Sequence, residues 1–435
     1  MDAPFLDSIA ADAPLRLPAL PGADLPWLDA LRREALAAFL HDGFPSTRDE
    51  MWKYTALRAL EQRRYAMPDA DAGRYAIDVD AQALSEAPRL VFVNGVFRAD
   101  LSVLDALPEG VELRPLSEAL RTDPEPLRFA LAADAGTRAD AFTRLNRAFF
   151  ADGMVLRVAA GICVTAPLHV VHVGAPAGAS LAWHARHVIE VGEGASLTLL
   201  EEHRAAGTHA HLGTLVGDVA LHGHARLDWV VLQDAAVDSL LVRRNVLRID
   251  TEAMARMHVL ETGAALARHE LRAELRGDGA RLESRGAFLP QGRQHIDTWL
   301  DIRHVARDTA SDAQWRGIAD QRGRGVFHGL VVVDPGADGA DANLGNKNLL
   351  LSPHAEIDTR PVLEINADEV KAAHGATVGQ LDDRALFYLR SRGLPLEQAR
   401  RILTLAFCRG VFDSIRDEGL RQRAYAALAA RHDVA

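Results

Sequence analysis

Histidine is the residue type with the most obvious capacity for chemistry in this sequence, which contains 18 of them. Two pairs, His209 with His211 and His222 with His224, are each separated by one residue. Alternate residues of a strand project to the same side, so each pair has the spacing of a metal-ligand pair. No carboxylate or thiolate cluster accompanies them. We therefore expect both pairs to be solvated on an outer face rather than to bind a metal.

The two cysteines, Cys163 and Cys408, are too few for a disulfide framework or for a cluster ligated by this chain alone. Cys163 lies in an apolar run, and Cys408 follows Phe407 on an apolar helical stripe. Both are predicted to be small buried hydrophobes, with a functional thiol at Cys408 as the alternative. So few cysteines fit a reducing, cytoplasmic compartment.

The common enzyme signatures are missing from the sequence. It contains no Walker-type phosphate loop, no G-x-S-x-G and no H-E-x-x-H, and no G-x-G-x-x-G opens a helix. The carboxylates of Asp297 and Asp301 leave one enzymatic alternative open, in which a β-helix enzyme cleaves polysaccharide in an external groove.

Composition restricts the partners that we expect. The 435 residues carry 49 basic and 60 acidic side chains, so the net charge of -11 argues against a nucleic-acid partner. No stretch reaches about 18 apolar residues, and the N-terminus does not resemble a secretory signal, so neither a membrane span nor export by that route is expected.

Residues 1–85 are predicted to form a small helical domain. Asp24 is a candidate N-cap for a helix that starts with Pro26, continues with apolar residues near helical spacing, and ends at Gly43. Residues 380–435 return to helical periodicity, with Asp382 as a candidate N-cap and Gly393 as a break. This second helical domain is predicted to be a hairpin or small bundle.

Residues 86–379 are predicted to form a right-handed parallel β-helix, so the fold class is mainly β with helical domains at both ends. Short apolar or alternating runs fill this region, and a small–polar–hydrophobic triplet recurs at intervals of 30, 30 and 25 residues, beginning at Ala195, Ala225, Ala255 and Ala280. A β-sandwich with coincidental spacing is the alternative. Asn343, Asn346 and Asn348 are predicted to occupy turns of the coil or an ordinary polar loop.

Several motifs in fixed order resemble the SufB/SufD family, the β-helical proteins of the Suf system for iron–sulfur cluster assembly. They are residues 294–298 (QHIDT), His304, 327–329 (FHG), 348–352 (NLLLS), 361–365 (PVLEI), 368–379 (DEVKAAHGATVG) and 386–393 (LFYLRSRG). Upstream, residues 45–54 resemble the family's Pro-x-x-x-x-Glu-x-Trp-Lys-Tyr element. The resemblance covers the chain almost from end to end.

Within the family, the helical N-terminus and the sequence around His374 resemble the SufD branch rather than the SufB branch. A SufB chain would carry a cluster-building cysteine within the segment 343–350, where Asn346 is the closest match here. SufD chains often have a cysteine two positions before the histidine, which is Ala372 in this sequence. This subunit is therefore not expected to ligate through sulfur.

The resemblance implies a non-catalytic scaffold subunit that pairs with SufB through the β-helix and binds one SufC ATPase through its C-terminal helices. It implies that His374 is an iron or nascent-cluster ligand shared with SufB, since one imidazole cannot hold iron tightly. The candidate SufC contacts are Phe387, Tyr388, Arg390, Arg392, Phe407 and Phe412. No cofactor is expected to bind tightly to this chain alone. Iron or a cluster would bind transiently, and whether reduced flavin binds to the complex is left open.

Each of these roles has a structural alternative. His374 could be a hydrogen-bonded structural histidine of the last coil, the aromatic residues could be core of the helical bundle, and the arginines could be solvated. A homodimer in isolation, or a SufB-like homodimeric scaffold that needs no partner, is a further alternative.

Overall fold

The structure is a computed structural model that describes residues 4–77, 87–105, 107–132 and 141–431. The predicted domain boundary at residues 85 and 86 lies outside these residues. The helices are α1 (Pro4–Arg16), α2 (Pro26–Asp42), α3 (Arg58–Glu61), α4 (Leu116–Thr122), α5 (Arg128–Ala132), α6 (Ala141–Phe149), α7 (Asp383–Ser391), α8 (Leu396–Arg409) and α9 (Glu418–Ala430). The strands of the N-terminal end are β1 (Arg89–Val93), β2 (Val96–Phe97), β3 (Val111–Pro115), β4 (Met154–Val158) and β5 (Leu168–Gly174).

The remaining strands alternate regularly between two sheets. They are β6 (Ala182–Val191), β7 (Ser196–Ala205), β8 (Leu212–Leu221), β9 (Arg226–Asp234), β10 (Leu240–Ile249), β11 (Met254–Glu261), β12 (Leu266–Leu275), β13 (Arg281–Phe288), β14 (His295–His304), β15 (Ala310–Ala319), β16 (Arg324–Val333), β17 (Asp341–Leu350), β18 (Glu356–Ile365) and β19 (Lys371–Gly379). The odd sheet runs from β5 to β19, with β1 and β2 beyond β5, and the even sheet runs from β4 to β18, with β3 beyond β4.

From β4 onward each strand pairs in parallel with the strand two further along the chain. The chain therefore winds between the two sheets and forms a β-solenoid of about 8 turns. A mainly β fold with a parallel β-helix core is confirmed. The β-sandwich alternative is wrong, because parallel pairing at every second strand requires a coil.

Small residues lie at one corner of the coil, as predicted. Ser196 stacks on Arg226, then on Met254 and Arg281, so the true steps are 30, 28 and 27 residues. The residues just before these positions are Ala195, Ala225, Ala253 and Ala280, and all are fully buried. The predicted third triplet at Ala255 is therefore wrong by two residues, because the coil is shorter there.

The same corner contains a column of residues in the left-handed backbone region. Gly194, Gly279 and Gly339 have φ values of 66°, 71° and 78°, and non-glycine residues take this conformation at His224, Glu252 and Asp308. This conformation turns the chain sharply toward the odd sheet, and glycine adopts it without a Cβ clash. This column explains the position of one histidine of the 222/224 pair, because His224 is a turn residue.

Helices from the N-terminal part cover the even sheet. The buried faces of α1, α2 and α6 pack on outward side chains of β6, β8 and β10. Helix α2 ends at Gly43 as predicted, but it starts after Leu25 with no side-chain cap, so the prediction of an Asp24 cap is wrong. Helices α4 to α6 lie inside the stretch that was predicted to be β-helix.

The C-terminal helices cover the odd sheet, as their apolar stripe predicts. Cys408 of α8 and Leu420, Ala424 and Leu428 of α9 pack on outward apolar side chains of the odd strands. Asp382 caps α7 by accepting a hydrogen bond from the Arg384 amide at 2.9 Å, and Gly393 adopts a φ of 90° after the helix, as expected. Each sheet thus has its own helical cover.

Candidate functional site at the open end of the β-helix

His374 lies on the last strand of the odd sheet. It pairs with Leu344 of β17 and continues a column of residues that face the core. The earlier members of this column, from β7 onward, are Leu199, Trp229, Met257, Ser284, Ala313 and Leu344, and all of them are buried. The His374 side chain is exposed, since β19 ends the sheet and no further coil of the described residues covers it.

Asparagine side chains hold the last coil together just inside this open end. Asn348 donates to the Oδ1 of Asn346 at 2.6 Å and to the Thr377 carbonyl of β19 at 3.1 Å. The hydroxyl of Thr359 on β18 donates to the same Asn346 oxygen at 2.7 Å. Asn346 and Asn348 therefore link β17, β18 and β19. The prediction that they occupy turns is wrong, because both are buried strand residues.

His374 has no second and third metal ligand grouped with it in the described part of the chain. Among residues 4–77, 87–105, 107–132 and 141–431, no three His, Cys, Asp or Glu side chains are grouped so that they could hold a metal ion. Ala372, on the same strand, has no donor atom. If iron binds here, a second molecule must complete its coordination.

The Glu-x-Trp-Lys-Tyr segment docks on the outer face of the even sheet. The ring of Trp52 lies 4.0 Å from the Arg268 guanidinium, and Thr55 donates a 2.6 Å hydrogen bond to Asp297. Arg268 also forms an ion pair with Asp297, and exposed Glu50 pairs with Arg360 of β18. The segment thus connects the N-terminal helices to the last coil of the even sheet.

This docking argues against the alternative of a polysaccharide-cleaving enzyme. Asp297 is fully buried beneath the N-terminal segment and is bonded to Arg268 and Thr55. Asp301 is half-buried, and burial raises the pKa of its carboxyl group. Asp297 is not accessible to a polysaccharide, so these two residues do not form an external catalytic groove.

The first coils enclose a polar cluster that the sequence pattern did not reveal. His187 accepts a hydrogen bond from the Met154 amide at its Nδ1, so its Nε2 carries the proton and donates to His172 across 3.1 Å. Nearby, His203 donates to Glu201 at 2.6 Å. Arg243 lies 3.5 Å from Glu201 and forms a closer ion pair with Glu261.

Burial and pairing perturb the protonation of this cluster. Burial lowers the pKa of His172 well below its ordinary value and that of His187 to about 4. Burial alone would raise the pKa of Glu201, but the hydrogen bond from His203 and the Arg243 charge bring it far below the ordinary value. The imidazoles of His172 and His187 are therefore neutral, while the carboxyl group of Glu201 is ionised.

Two family models match almost the whole chain. The model described as "SUF system FeS cluster assembly, SufBD core domain" matches residues 174–407, and "SufBD protein N-terminal region" matches residues 20–170. The chain belongs to the SufBD family.

Curated relatives agree with this assignment over most of their own length. The iron–sulfur cluster assembly protein SufD of Escherichia coli is 29% identical over 401 residues, which is 92% of each chain. A SufBD family protein of Synechocystis is 29% identical over 400 residues, covering 89% of this chain and 87% of that protein. The SufD protein of Bacillus subtilis is 25% identical over 65% of this chain and 64% of its own. The chain is thus a SufD-like protein of the iron–sulfur cluster assembly family.

The C-terminal helices of this SufBD chain carry the second candidate surface. Phe387 is 73% exposed and Tyr388 is 57% exposed, and the guanidinium of Arg392 lies 5.3 Å from the Tyr388 ring. Arg390 is also exposed. These four residues form an aromatic and basic patch on and next to α7, which we call the α7 patch.

The last two predicted contact residues lie elsewhere. Phe407 is half-buried, with the Arg316 guanidinium 5.6 Å from its ring, and belongs to the seam between α8 and the odd sheet. Phe412 is fully buried in the same apolar cluster. The prediction that Phe412 contacts a partner is wrong for this conformation, because its side chain serves the core.

The two cysteines differ in exposure. Cys408 is buried as predicted, and burial raises the pKa of its thiol to about 12, which makes it unreactive. Cys163 is exposed, and its sulfur accepts a hydrogen bond from the Ser196 hydroxyl at 3.2 Å, so the prediction that it is buried is wrong.

The two histidine pairs also differ in burial. His224 is exposed and His222 is half-buried, and both pair with surface carboxylates, as expected of solvated residues. His209 and His211 are buried, so the prediction of solvation is wrong for them. The two nitrogens of His211 bond the Leu181 amide and the Ala175 carbonyl, which makes it a structural side chain.

None of the described helices combines the length and the apolar character that a membrane crossing would need.

Proposed function

We propose that this chain is a non-catalytic scaffold subunit of iron–sulfur cluster assembly. It pairs with a second β-helical chain of the SufB type through its open end, and it binds a SufC-type ATPase through the α7 patch. Iron or a nascent cluster is transient cargo at the paired ends rather than a resident cofactor of this chain. Any reduced flavin belongs to the assembled complex.

The exposed edge of β19 is the observation that carries the proposal. An edge strand offers unpaired amides and carbonyls to another strand, and proteins commonly blunt such edges with charges or proline. Neighbouring β18 is blunted in this way by Asp358, Arg360, Pro361 and Glu364. From Ala372 to Gly379, β19 carries no acidic or basic residue other than His374. We infer that β19 is the strand that pairs with the partner.

His374 lies near the middle of this unblunted edge. A partner strand beside β19 would bring its own side chains close to the imidazole. Because this chain provides one nitrogen donor, the partner must supply the thiolate or carboxylate ligands that complete an iron site. This division of ligands fits the position of Ala372, which has no sulfur.

The α7 patch is the second support. Large exposed aromatic side chains next to arginine are enriched at protein interfaces, where they become buried anchors. No residue of α7 is buried against the rest of the chain, so the helix is free to present this face. An ATPase that moves on nucleotide binding would act on the β-helix through α7 and α8.

The test is to express the variant His374→Ala with the SufB and SufC proteins of the same cells and to measure the yield of assembled cluster. We expect the complex to form at the wild-type ratio and the cluster yield to fall at least tenfold. The matched control is His354→Ala, which removes an exposed histidine from the turn before β18. Unchanged cluster yield in His374→Ala would remove His374 from the proposal, and a chain that recovers neither protein would remove the scaffold role.

A further inference from the structure

A cavity of about 390 Å³ lies between the N-terminal helices and the start of β6. Its walls are mostly apolar and include Leu20, Met67, Val96, Phe149 and Trp183. Small-molecule sites in proteins have this size and this predominantly apolar lining, with a few fixed polar groups. The cavity lies at the end of the β-helix opposite to His374.

One buried polar group in the cavity wall has an unused hydrogen-bonding atom. The ring of His184 lines the cavity and is 2% exposed. Its Nδ1 lies 2.7 Å from the Thr214 hydroxyl, while its Nε2 has no hydrogen-bond partner in the described part of the chain. A buried unsatisfied nitrogen costs about 1–3 kcal/mol, so a ligand that satisfies it gains affinity.

The hydrogen-bond network assigns the proton of His184. Asn146 donates to the Thr214 hydroxyl at 3.1 Å, and within the described part of the chain the Nδ1 of His184 is the acceptor to which that hydroxyl can give its hydrogen. Burial lowers the pKa of His184 to about 3, so the ring is neutral and the single proton is on Nε2. The unused atom is therefore a donor, and it requires an acceptor on the ligand.

The charged groups around the cavity favour an uncharged ligand. The carboxyl group of Asp152 already accepts hydrogen bonds from the Ser117 amide at 3.0 Å, the Ser117 hydroxyl at 2.8 Å and the Gly153 amide at 2.9 Å. Arg16 and Asp69 also line the cavity, so it carries side chains of both charge signs rather than of one. The aromatic ring of Phe149, whose centroid lies 6.0 Å from that of the His184 ring, suits a planar molecule.

We propose that this cavity, which we call the His184 cavity, binds a small, uncharged, planar aromatic molecule whose carbonyl or equivalent acceptor receives a hydrogen bond from the Nε2 of His184. The site is independent of cluster assembly at His374, so either proposal can fail alone.

Coumarin and naphthalene are suitable probes, because they have the same two-ring size and only coumarin carries a carbonyl. Equilibrium dialysis of the full-length protein is expected to show at least tenfold tighter binding of coumarin, the ratio that corresponds to about 1.4 kcal/mol. In His184→Phe, which keeps a ring in the wall but removes the donor, the two probes are expected to bind within a factor of two of each other.

A filling variant locates the site. Met67→Trp is expected to reduce the binding of both probes at least tenfold, with the folded state checked by circular dichroism. The proposal is overturned if coumarin does not bind the wild-type protein, or if it binds no tighter than naphthalene. Those two outcomes need no variant, so the proposal stays testable even if a substitution prevents folding.

Discussion

The two ends of the β-helix have the same coil geometry but opposite surroundings. At the first end, β2 folds back on β1 and β3 pairs antiparallel with β4, and every residue of β1 is buried. At the other end, β18 and β19 have free edges, and most side chains of β19 are exposed. Antiparallel strands cap only the first end of the described β-helix. The other end keeps uncovered strand edges, and the candidate ligand His374 lies there.

The interior differs between the ends as well. The interior of the capped half contains the polar cluster of His172, His187, Glu201, His203 and Arg243. The interior of the open half is instead filled by apolar side chains, among them Trp315, Phe327 and Leu344, up to the coil that Asn346 and Asn348 link. Buried charges must be paired to be tolerated, and in the capped half Arg243 pairs with Glu201 and Glu261 away from solvent. We therefore expect substitutions in the capped half to affect stability and those at the open end to affect association.

The largest effect is expected from Arg243→Ala in the capped half. It leaves Glu201 and Glu261 buried without their cation, and breaking such a pair typically destabilises a protein by about 3–5 kcal/mol. Urea unfolding followed by circular dichroism measures the loss. The control is Arg276→Ala at the surface ion pair with Glu274, for which we expect less than about 1 kcal/mol. Equal losses in the two variants would show that the interior cluster does not stabilise the capped half.

The second effect is a loss of stability in mild acid. Burial lowers the pKa of His187 to about 4, so below pH 6.5 the unfolded chain binds a proton that the folded chain does not. Stability from this group is complete above pH 6.5 and falls by about 1.4 kcal/mol per pH unit until the folded pKa is reached, a total of about 3 kcal/mol.

Urea midpoints at pH 7.5, 6.5 and 5.5 measure this dependence. Asparagine retains a group that can accept the hydrogen bond of the Met154 amide, so His187→Asn is expected to flatten the dependence below pH 6.5 while the remaining buried histidines maintain part of it. A wild-type midpoint that does not move between pH 7.5 and 5.5 would contradict the neutral, buried state of these imidazoles.

At the open end, Val378→Asp should weaken association without unfolding the protein. Val378 is 45% exposed on β19, and the new carboxylate would be buried beside any strand that pairs there. We expect SufB binding to weaken about tenfold in a surface binding assay, with the free energy of unfolding changed by less than about 0.5 kcal/mol. Val237→Asp is the control, since Val237 is 56% exposed in the turn after β9. If both variants bind SufB as the wild type does, β19 is not the pairing strand.

The smallest effect is expected where the N-terminal segment reaches the open end. Glu50→Gln removes the exposed ion pair with Arg360 of β18 and should cost about 0.2–1 kcal/mol at low salt. Because exposed charges are screened, the difference from the wild type should vanish in 1 M sodium chloride. Thermal unfolding at the two salt concentrations provides the comparison. A difference that persists in high salt would mean that Glu50 acts through packing rather than charge.

Local patterns were enough to predict the elements and the repeat. The spacing of small residues predicted the coil, and Gly43, Asp382 and Gly393 marked helix ends where the structure has them. The family motifs led to His374, whose place on an exposed edge is a property of the fold. These signals are local, because corners and caps depend on a few neighbouring residues.

The errors occurred where a distant element decides burial. Alternation divides a strand into two faces but does not tell which face is covered. His209 and His211 were predicted to be solvated, although the coil buries them. Asp297 was a candidate for an open groove, although Trp52 and Thr55, more than 200 residues earlier, cover it. Phe412 was assigned to a surface for the same reason, since the odd sheet that buries it is remote in sequence.

The contact between Trp52 and Arg268 has a consequence during synthesis on the ribosome. Successive coils pair residues about 30 positions apart, so each coil can form soon after its strands emerge. The Trp52 segment is made early, but its partners Arg268, Asp297 and Arg360 appear only when β12, β14 and β18 have been translated. Trp52 can stack on Phe142 early in translation, but the contacts that fasten its segment to the even sheet form late, and until then this surface is open to non-native contacts.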